Sequence, residues 1–380
     1  MIPLMRPFIK KNLVLKEIEE VLDSGWLSGG EAIHKFENAL KKYNNDVDGE
    51  YISVSNATVG LEMALMSISK KKLHEFDEVI VPSFSWIASA FAISNVGGTP
   101  VFCDVNEFGV PDVHTIEPHI TPFTRAIMIV HQAGIPCDMD EINKLGKKYS
   151  IPIIEDAACA FGSEYKNKKI GDSENTVVFS HQAKKCLTTG EGGTIVTKDK
   201  KLADWFRSYR VFGTNNTPLQ REKNDEIMLD SFNMFGTNNK LSDISCAVGL
   251  AHIQYIDEEI EMRSNVAETY NNAFKDIDQI TVTSIIPNYC TKYNWQSYRI
   301  YLHPNIDRGI FMEKLKKYNI PSKRDIQSIH LEPVYNSNEY IQETQKYSKH
   351  GVQLPFYAQL SDKNQIFIVN AIKEIIDGFE

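Results

Sequence analysis

The sequence contains no CxxC pair, and its histidines and cysteines never fall at metal-ligand spacing. Cys103, Cys137, Cys159, Cys186, Cys246 and Cys290 are scattered singly, the pattern of free thiols in a reducing cytosol rather than of disulfides or a zinc site. Long basic blocks are also absent, and the net charge is −9. That balance argues against nucleic acid as the main partner, but leaves room for a phosphorylated ligand in a local positive pocket. No apolar run approaches the roughly 20 residues that would span a bilayer. The opening residues, Met1-Ile-Pro-Leu-Met-Arg-Pro7, lack the apolar core of a signal peptide. The expectation is a soluble, cytoplasmic protein with no membrane partner and no metal. Repeats and low-complexity tracts are missing too. What remains is an ordinary globular composition, 42% hydrophobic and 24% charged over 380 residues. A chain of that length buries a sizeable core and is expected to form two lobes.

Periodicity then organises the chain. Leu13, Val14, Ile18, Val21 and Leu22 make a helical stripe over 11–23, broken by Ser24-Gly-Trp-Leu-Ser-Gly-Gly30. Ile33, Phe36, Ala39, Leu40 and Tyr43 make a second. From Tyr51 onward, short apolar runs alternate with helices. Tyr51–Val54, Glu78–Val81, Thr99–Asp104, Arg125–Val130 and Ile151–Ile154 read as strands without period-two alternation. Such strands belong to a buried, largely parallel sheet. Strand, small polar turn and helix at 51–68 would aim backbone amides at an anion. The commoner outcome for any one such turn is a plain connection. Thr58, Trp86, His131, Asp156 and Lys185 all fall at strand ends. Ligands of open α/β sheets bind outside the carboxyl ends of strands, so these residues are expected to converge on one site. Taken singly, Asp156 reads as well as a helix cap and Trp86 as a core aromatic.

The densest signal is Ser180-His-Gln-Ala-Lys-Lys-Cys-Leu-Thr-Thr-Gly-Glu-Gly-Gly193, between the runs 176–179 and 194–197. Both runs are β-branched and read as strands, with an antiparallel component to the sheet. The turn between them carries two lysines, and its three glycines imply close backbone approach or positive φ. Beyond Leu202 the pattern changes. Residues 211–230 are polar and Asn-rich, which predicts an exposed loop. Helical apolar residues follow through Phe274. Ile280–Val282, Ser297–Leu302 and Ile366–Ile376 then suggest a smaller α/β lobe. The boundary is expected near residue 250, giving 1–250 as a large domain and 251–380 as a small one.

Read together, these stretches resemble the DegT/DnrJ-type (StrS-like) sugar aminotransferases of the fold-type I superfamily that uses pyridoxal 5'-phosphate (PLP). The carrying residues are Gly25-Trp-Leu-Ser-Gly29, Phe36-Glu37, Pro82-Ser-Phe-Ser-Trp86, Pro100-Val-Phe-Cys-Asp104 and Asp138-Met-Asp140. Ile154-Glu-Asp-Ala157, Lys185–Gly193, Gly236-Thr-Asn238 and Leu354-Pro355 complete the set. The resemblance implies an α/β fold, with a large PLP-binding domain around a mostly parallel seven-stranded sheet and a smaller C-terminal α/β domain. It places the N-terminal segment against that small domain.

The resemblance also assigns roles. Counting from Ser180, and back from Thr188-Thr-Gly-Glu-Gly-Gly193, makes Lys185 the Schiff-base lysine and Lys184 its bystander. The chemistry needs a neutral amine, which burial and a cationic cofactor favour. Asp156 would pair with the pyridine nitrogen, Trp86 would stack on the ring, and Ala57, Thr58 and Ser180 would hold the phosphate. Asn238 would reach the phosphate of a neighbouring subunit, which implies a homodimer with shared active sites. Trp26, Ser28, His131, Glu191, Arg324 and His330 are the substrate-side candidates. Cys159 stands where Gln, Ser or His commonly contacts the phenolic oxygen. His181-Gln182 replaces a commoner Phe-His pair, with Cys159 as its expected partner, and Lys240 replaces an Arg. The implied reaction aminates a keto-sugar, nucleotide-linked, with L-glutamate as donor. An inosose aminotransferase is a neighbouring alternative. A PLP-dependent sugar dehydratase would carry His in place of Lys185. A non-catalytic PLP-binding regulator would gain little from Lys185 and Asp156 together.

Overall fold

The computed structural model describes residues 2–214, 231–282 and 286–379. Most of the Asn-rich stretch expected to be a loop, residues 215–230, lies outside them. In chain order, α1 (Lys11–Ser24) ends at Gly25, whose φ of 71° supplies a left-handed cap. Next come α2 (Ala32–Tyr43), β1 (Glu50–Val54) and α3 (Ala57–Ser67). β2 (Glu78–Pro82), α4 (Ala88–Asn95), β3 (Thr99–Cys103), α5 (Val113–Ile116), β4 (Thr124–Val130), α6 (Met139–Tyr149) and β5 (Ile153–Asp156) continue the alternation. A small hairpin, β6 (Glu164–Tyr165) and β7 (Lys168–Lys169), precedes β8 (Thr176–Ser180), β9 (Gly193–Thr197) and α7 (Lys200–Tyr209).

These strands build a seven-stranded sheet in the order β1-β9-β8-β5-β4-β2-β3. Only β9 runs against the rest, pairing antiparallel with β1 and β8. The strands are apolar on both faces because both faces are covered. Val54, Val81, Met128, Ile154, Val178 and Ile195 pack on one side with Leu61 and Phe206. Tyr51, Ile80, Ile127, Ile129, Val177 and Val196 pack on the other with Phe36 and Ile142.

β5 departs from the expected run by beginning at Ile153. Pro152, which has no N–H to donate, stays outside the strand. The strand therefore contains Glu155 and Asp156. Side chains alternate along a strand, so these two carboxylates point to opposite faces.

The chain continues through α8 (Asp243–Ile253) and α9 (Ile256–Phe274) into β10 (Ile280–Val282), β11 (Cys290–Lys292) and β12 (Arg299–Leu302). α10 (Arg308–Lys317), β13 (Lys323–Arg324), α11 (Gln342–His350), β14 (Gly351–Gln353) and α12 (Asp362–Asp377) complete it. A four-stranded antiparallel sheet, β10-β12-β14-β13, forms here. β11 instead pairs back with β6. The core that holds Phe36 and Ile127 runs unbroken to Tyr298, Phe311, Phe356 and Ile372. The N-terminal segment lies against this second region. Leu4 accepts a backbone hydrogen bond from Phe356, and Phe8 clusters with Tyr255 and Ala358.

Candidate active site

The ends of β1, β5 and β8 and the start of β9 lie toward one edge of the large sheet. β1 runs through Ser55 into α3, whose cap Asn56 accepts from the Val59 amide at 3.0 Å. Ala57 and Thr58 belong to the first helical turn, whose amides have no carbonyl partner within the helix. Gly193, at the start of β9, presses directly on this turn. A Cβ there would sit 2.7 Å from the Ala57 nitrogen and 2.9 Å from the Asn56 oxygen. Close backbone approach, one of the two needs expected of these glycines, is thus the one that Gly193 meets. Ser180 is paired with Gly193 in the sheet, and its hydroxyl accepts from the Gln182 amide at 3.4 Å.

Asp156 ends β5 and is 4% exposed. One carboxylate oxygen accepts from the Ser89 hydroxyl at 2.7 Å, and the other from the Ala158 amide at 3.0 Å. Burial nevertheless dominates and pushes its pKa up, against those bonds and the nearby Lys185 charge. Ser89 lies in the first turn of α4 and bonds in turn to Ser85 at 3.0 Å. On the opposite face of β5, Glu155 accepts from His131, Ser173 and Asn175.

Lys185 sits on the turn between β8 and β9, with its Nζ 3.1 Å from Cys159 Sγ. Burial works to lower its pKa, but Cys159 and Asp156 outweigh burial and the net direction is upward. Burial thus acts in the expected direction, and the Cys159 thiol and the Asp156 carboxylate act against it. Lys184 is exposed beside it. His181, expected to partner Cys159, instead turns into the core. Its Nε2 pairs with Thr194 Oγ1 at 2.8 Å, and Phe36 packs edge-on against its ring. Burial lowers its pKa to about 3.

The remaining candidates divide by exposure. Trp86 is 59% exposed, with Lys323 Nζ 5.3 Å from its ring centre. Ser28, Glu191 and Asn238 are exposed, and Asn238 accepts from Lys240 Nζ at 2.5 Å. Trp26 is half-buried in a pocket between α1, α2 and α8, shared with Glu20, Lys35 and Asp243. Arg324 pairs with Glu332 at 3.3 Å. His131 and His330 are fully buried. Both ring nitrogens of His131 are engaged, Nε2 with Glu155 and Nδ1 with the Cys137 amide. His330 Nδ1 lies 2.5 Å from Ser83 Oγ, and the Ile329 amide donates to the Ser83 carbonyl. His330 thus braces the loop behind Trp86 from below.

Sequence reasoning missed three residues that shape this site: Ser89, Asn294 and Gln296. Ser85 and Ser89 stand four apart, so a helical reading of 85–89 would have placed them on one face. Asn294 and Gln296 lie in an aromatic stretch with no periodic signal.

The arrangement suits a PLP phosphate and ring. The first turn of α3 offers backbone amides without helical partners, and Asp156 and Lys185 supply a buried carboxylate and an amine. The Gly193 contact keeps that helix end in place, and Asp156 has the acceptor chemistry that a protonated pyridine nitrogen needs.

Comparison with known proteins gives this geometry a family context. The model of the DegT/DnrJ/EryC1/StrS aminotransferase family matches residues 9–373. GDP-perosamine synthase of Escherichia coli O157:H7 is 33% identical over 385 residues, covering 97% of this chain and 98% of that protein. UDP-4-amino-4-deoxy-L-arabinose–oxoglutarate aminotransferase of Shewanella sediminis is 30% identical, covering 99% and 98%. Among solved structures, Helicobacter pylori PseC, an aminotransferase of pseudoaminic acid biosynthesis, superposes with a TM-score of 0.90. It is 25% identical, and 99% of each chain is covered.

Proposed function

Because this chain belongs to the DegT/DnrJ/EryC1/StrS aminotransferase family, we propose that it is a PLP-dependent enzyme that aminates a nucleotide-linked keto-sugar with L-glutamate as donor. The observation that carries this is the Lys185 amine, 3.1 Å from Cys159 and electrostatically coupled to the buried carboxylate of Asp156, at the carboxyl edge of the sheet. Two relatives named for nucleotide-linked amino-sugars support the substrate class, and one named for oxoglutarate supports glutamate as its amino counterpart.

When bound, PLP supplies an aldehyde that takes the amino group and a ring that withdraws electrons from the reacting carbon. The protein supplies the rest. The first turn of α3, with Ala57 and Thr58, and the Ser180 hydroxyl would hold the phosphate. Asp156, fixed by Ser89 and the Ala158 amide, would keep the ring nitrogen protonated. Trp86 would cover a ring face. Lys185 would hold and move the proton at its Nζ as general acid and base. Cys159 would stand beside the phenolic oxygen. Trp26, Ser28, Glu191 and Arg324 are the sugar-side candidates.

A second copy of the chain completes the site. Phe212, Phe232 and Phe235 are 51%, 63% and 98% exposed, an apolar surface beside Asn238 that a partner would cover. Asn238 would then serve the partner's phosphate.

Glutamate alone should convert the visible absorbance of the PLP-loaded protein to that of the aminated cofactor. Nucleotide-linked 3-keto and 4-keto sugars should then reverse the change, and the sugar that does so identifies the substrate. A spectrum that ignores every amino donor rules the transaminase out. Full activity in a monomer rules out the shared site.

A further inference from the structure

The segment that carries Lys185 is held by a four-residue stretch far away in sequence. Tyr293-Asn294-Trp295-Gln296 follows β11, and Trp295 takes a left-handed φ of 50°. That conformation is uncommon for a bulky side chain and persists only where the surroundings enforce it. Trp295 is wedged among Tyr293, at 4.4 Å between ring centres, and Tyr298, and its carbonyl accepts from buried Arg263 at 3.4 Å. The turn directs both polar neighbours of Trp295 to the active site.

Gln296 is 6% exposed. Its Nε2 donates to the Lys184 carbonyl at 2.7 Å, and its Oε1 accepts from the Cys186 amide at 3.3 Å. A carbonyl only accepts and an amide N–H only donates, so these partners fix the amide orientation. The two bonds fall on either side of Lys185. Asn294 is fully buried and does the same for the opposing loop. Its Nδ2 donates to the carbonyls of Cys159 at 2.8 Å and Phe161 at 2.9 Å. Its Oδ1 accepts from the Gln296 amide at 3.1 Å, which joins the two halves.

We infer that Gln296 is a positioning residue for the reacting amine, and that with Asn294 it sets the separation between Lys185 and Cys159. This rests on Lys185 being the reacting lysine. Burial of a glutamine against backbone groups would by itself serve stability alone. Placement on both flanks of one lysine, tied to the loop that carries its nearest side-chain neighbour, is what points to the amine.

The test uses the full-length, PLP-loaded protein and two variants. Gln296→Met keeps the shape and removes both bonds. Its kcat should fall about tenfold, with KM changed by less than about twofold, because a misplaced catalytic group costs rate more than binding. The pH midpoint of the Lys185-dependent visible absorbance should move by about half a unit or more. A lowered Tm with wild-type kcat and midpoint overturns the proposal and leaves Gln296 structural. Gln296→Glu supplies one donor and one acceptor only when protonated. Its activity relative to wild type should therefore rise as pH falls, and a flat ratio overturns the proposal even if the Met variant does not fold. If wild-type protein shows no absorbance that depends on Lys185, the assignment of Lys185 itself fails. That outcome is recognisable because it appears before any substitution at 296.

Discussion

Lys185 and Arg324 are both basic residues assigned to one site, and their surroundings are built differently. Lys185 is enclosed by its own chain. Cys159 and Asp156 face its amine, Ser89 holds Asp156, and Asn294 and Gln296 hold the two loops. Arg324 is on the rim, its side chain 56% exposed, with one pairing to Glu332. Trp86, Ser28, Glu191 and Asn238 are exposed like Arg324. The groups proposed to act on the reacting atoms are held by contacts within the chain. The groups proposed to choose the sugar or touch a partner subunit are left open, and so is Trp86, the one proposed to cover a cofactor face. Pre-organisation of the first set lowers the cost of reaction, and openness of the second lets one fold take different sugars.

The sharpest way to break this comparison is at the lysine pair. Lys185→Ala should abolish the visible absorbance with PLP and reduce turnover by about 10⁴-fold or more, as expected when a covalent and proton-carrying group is removed. Lys184→Ala should retain the absorbance and remain within about twofold of wild type. Loss of colour in the Lys184 variant instead would shift the assignment by one residue. Next in size is Asp156→Asn, which keeps the shape and the Ser89 contact while removing the charge. Turnover should fall about 10²-fold with little change in Tm. A kcat within twofold of wild type would separate Asp156 from the chemistry and return it to the role of a local structural residue.

How much of this could be read beforehand depended on whether a residue's role is local or arises from tertiary contact. The parallel sheet was legible because strands buried on both faces are apolar without alternation, as in Ile127–Val130 and Val177–Phe179. The placement of Asp156 at the end of β5 and of Lys185 on the turn after β8 was legible from strand ends alone. Periodicity could not show which cross-strand partners a buried polar residue finds. His131, just after β4, is tied to Glu155 on the neighbouring strand and to the Cys137 amide. His181 was misplaced for a related reason. It follows Ser180 at the end of β8, and the turn directs it inward to Thr194 and Phe36. Asn294 and Gln296 were invisible because their partners lie more than 100 residues away and are backbone atoms, which leave no sequence mark.

Gly193 tests whether the enclosed region is as tightly set as its hydrogen bonds suggest. Gly193→Ala drives a methyl group against the backbone of Asn56 and Ala57, which cannot rotate away. A destabilisation of about 1–3 kcal/mol is expected by denaturant titration, with weaker PLP retention because the phosphate turn is displaced. Wild-type stability and retention would mean that the α3 turn adjusts freely.

His181 adds an acid limit to the same region. Its pKa falls from the ordinary 6.5 to about 3 because burial disfavours the imidazolium. Between those values the unfolded chain binds a proton that the folded chain excludes. Stability attributable to this residue is complete above pH 6.5 and is lost as pH falls toward 3. The loss should approach about 1.4 kcal/mol per pH unit within that window. His181→Phe should flatten that part of the stability profile, and an unchanged slope would place the acid sensitivity elsewhere.

The smallest effect is expected at the rim, and its smallness is informative. Arg324→Ala removes one exposed ion pair, and such pairs contribute about 0–1 kcal/mol. Tm should barely change, PLP binding should be intact, and the glutamate half-reaction should proceed at the wild-type rate. Any defect should be confined to the sugar half-reaction, as a raised KM for the nucleotide-linked substrate with little change in kcat, the signature of a lost ground-state contact. A defect shared equally by both half-reactions would place Arg324 with the donor carboxylates instead. A fall in kcat with unchanged KM would move it inward, into the company of Lys185, and the division between a fixed interior and an open rim would no longer hold.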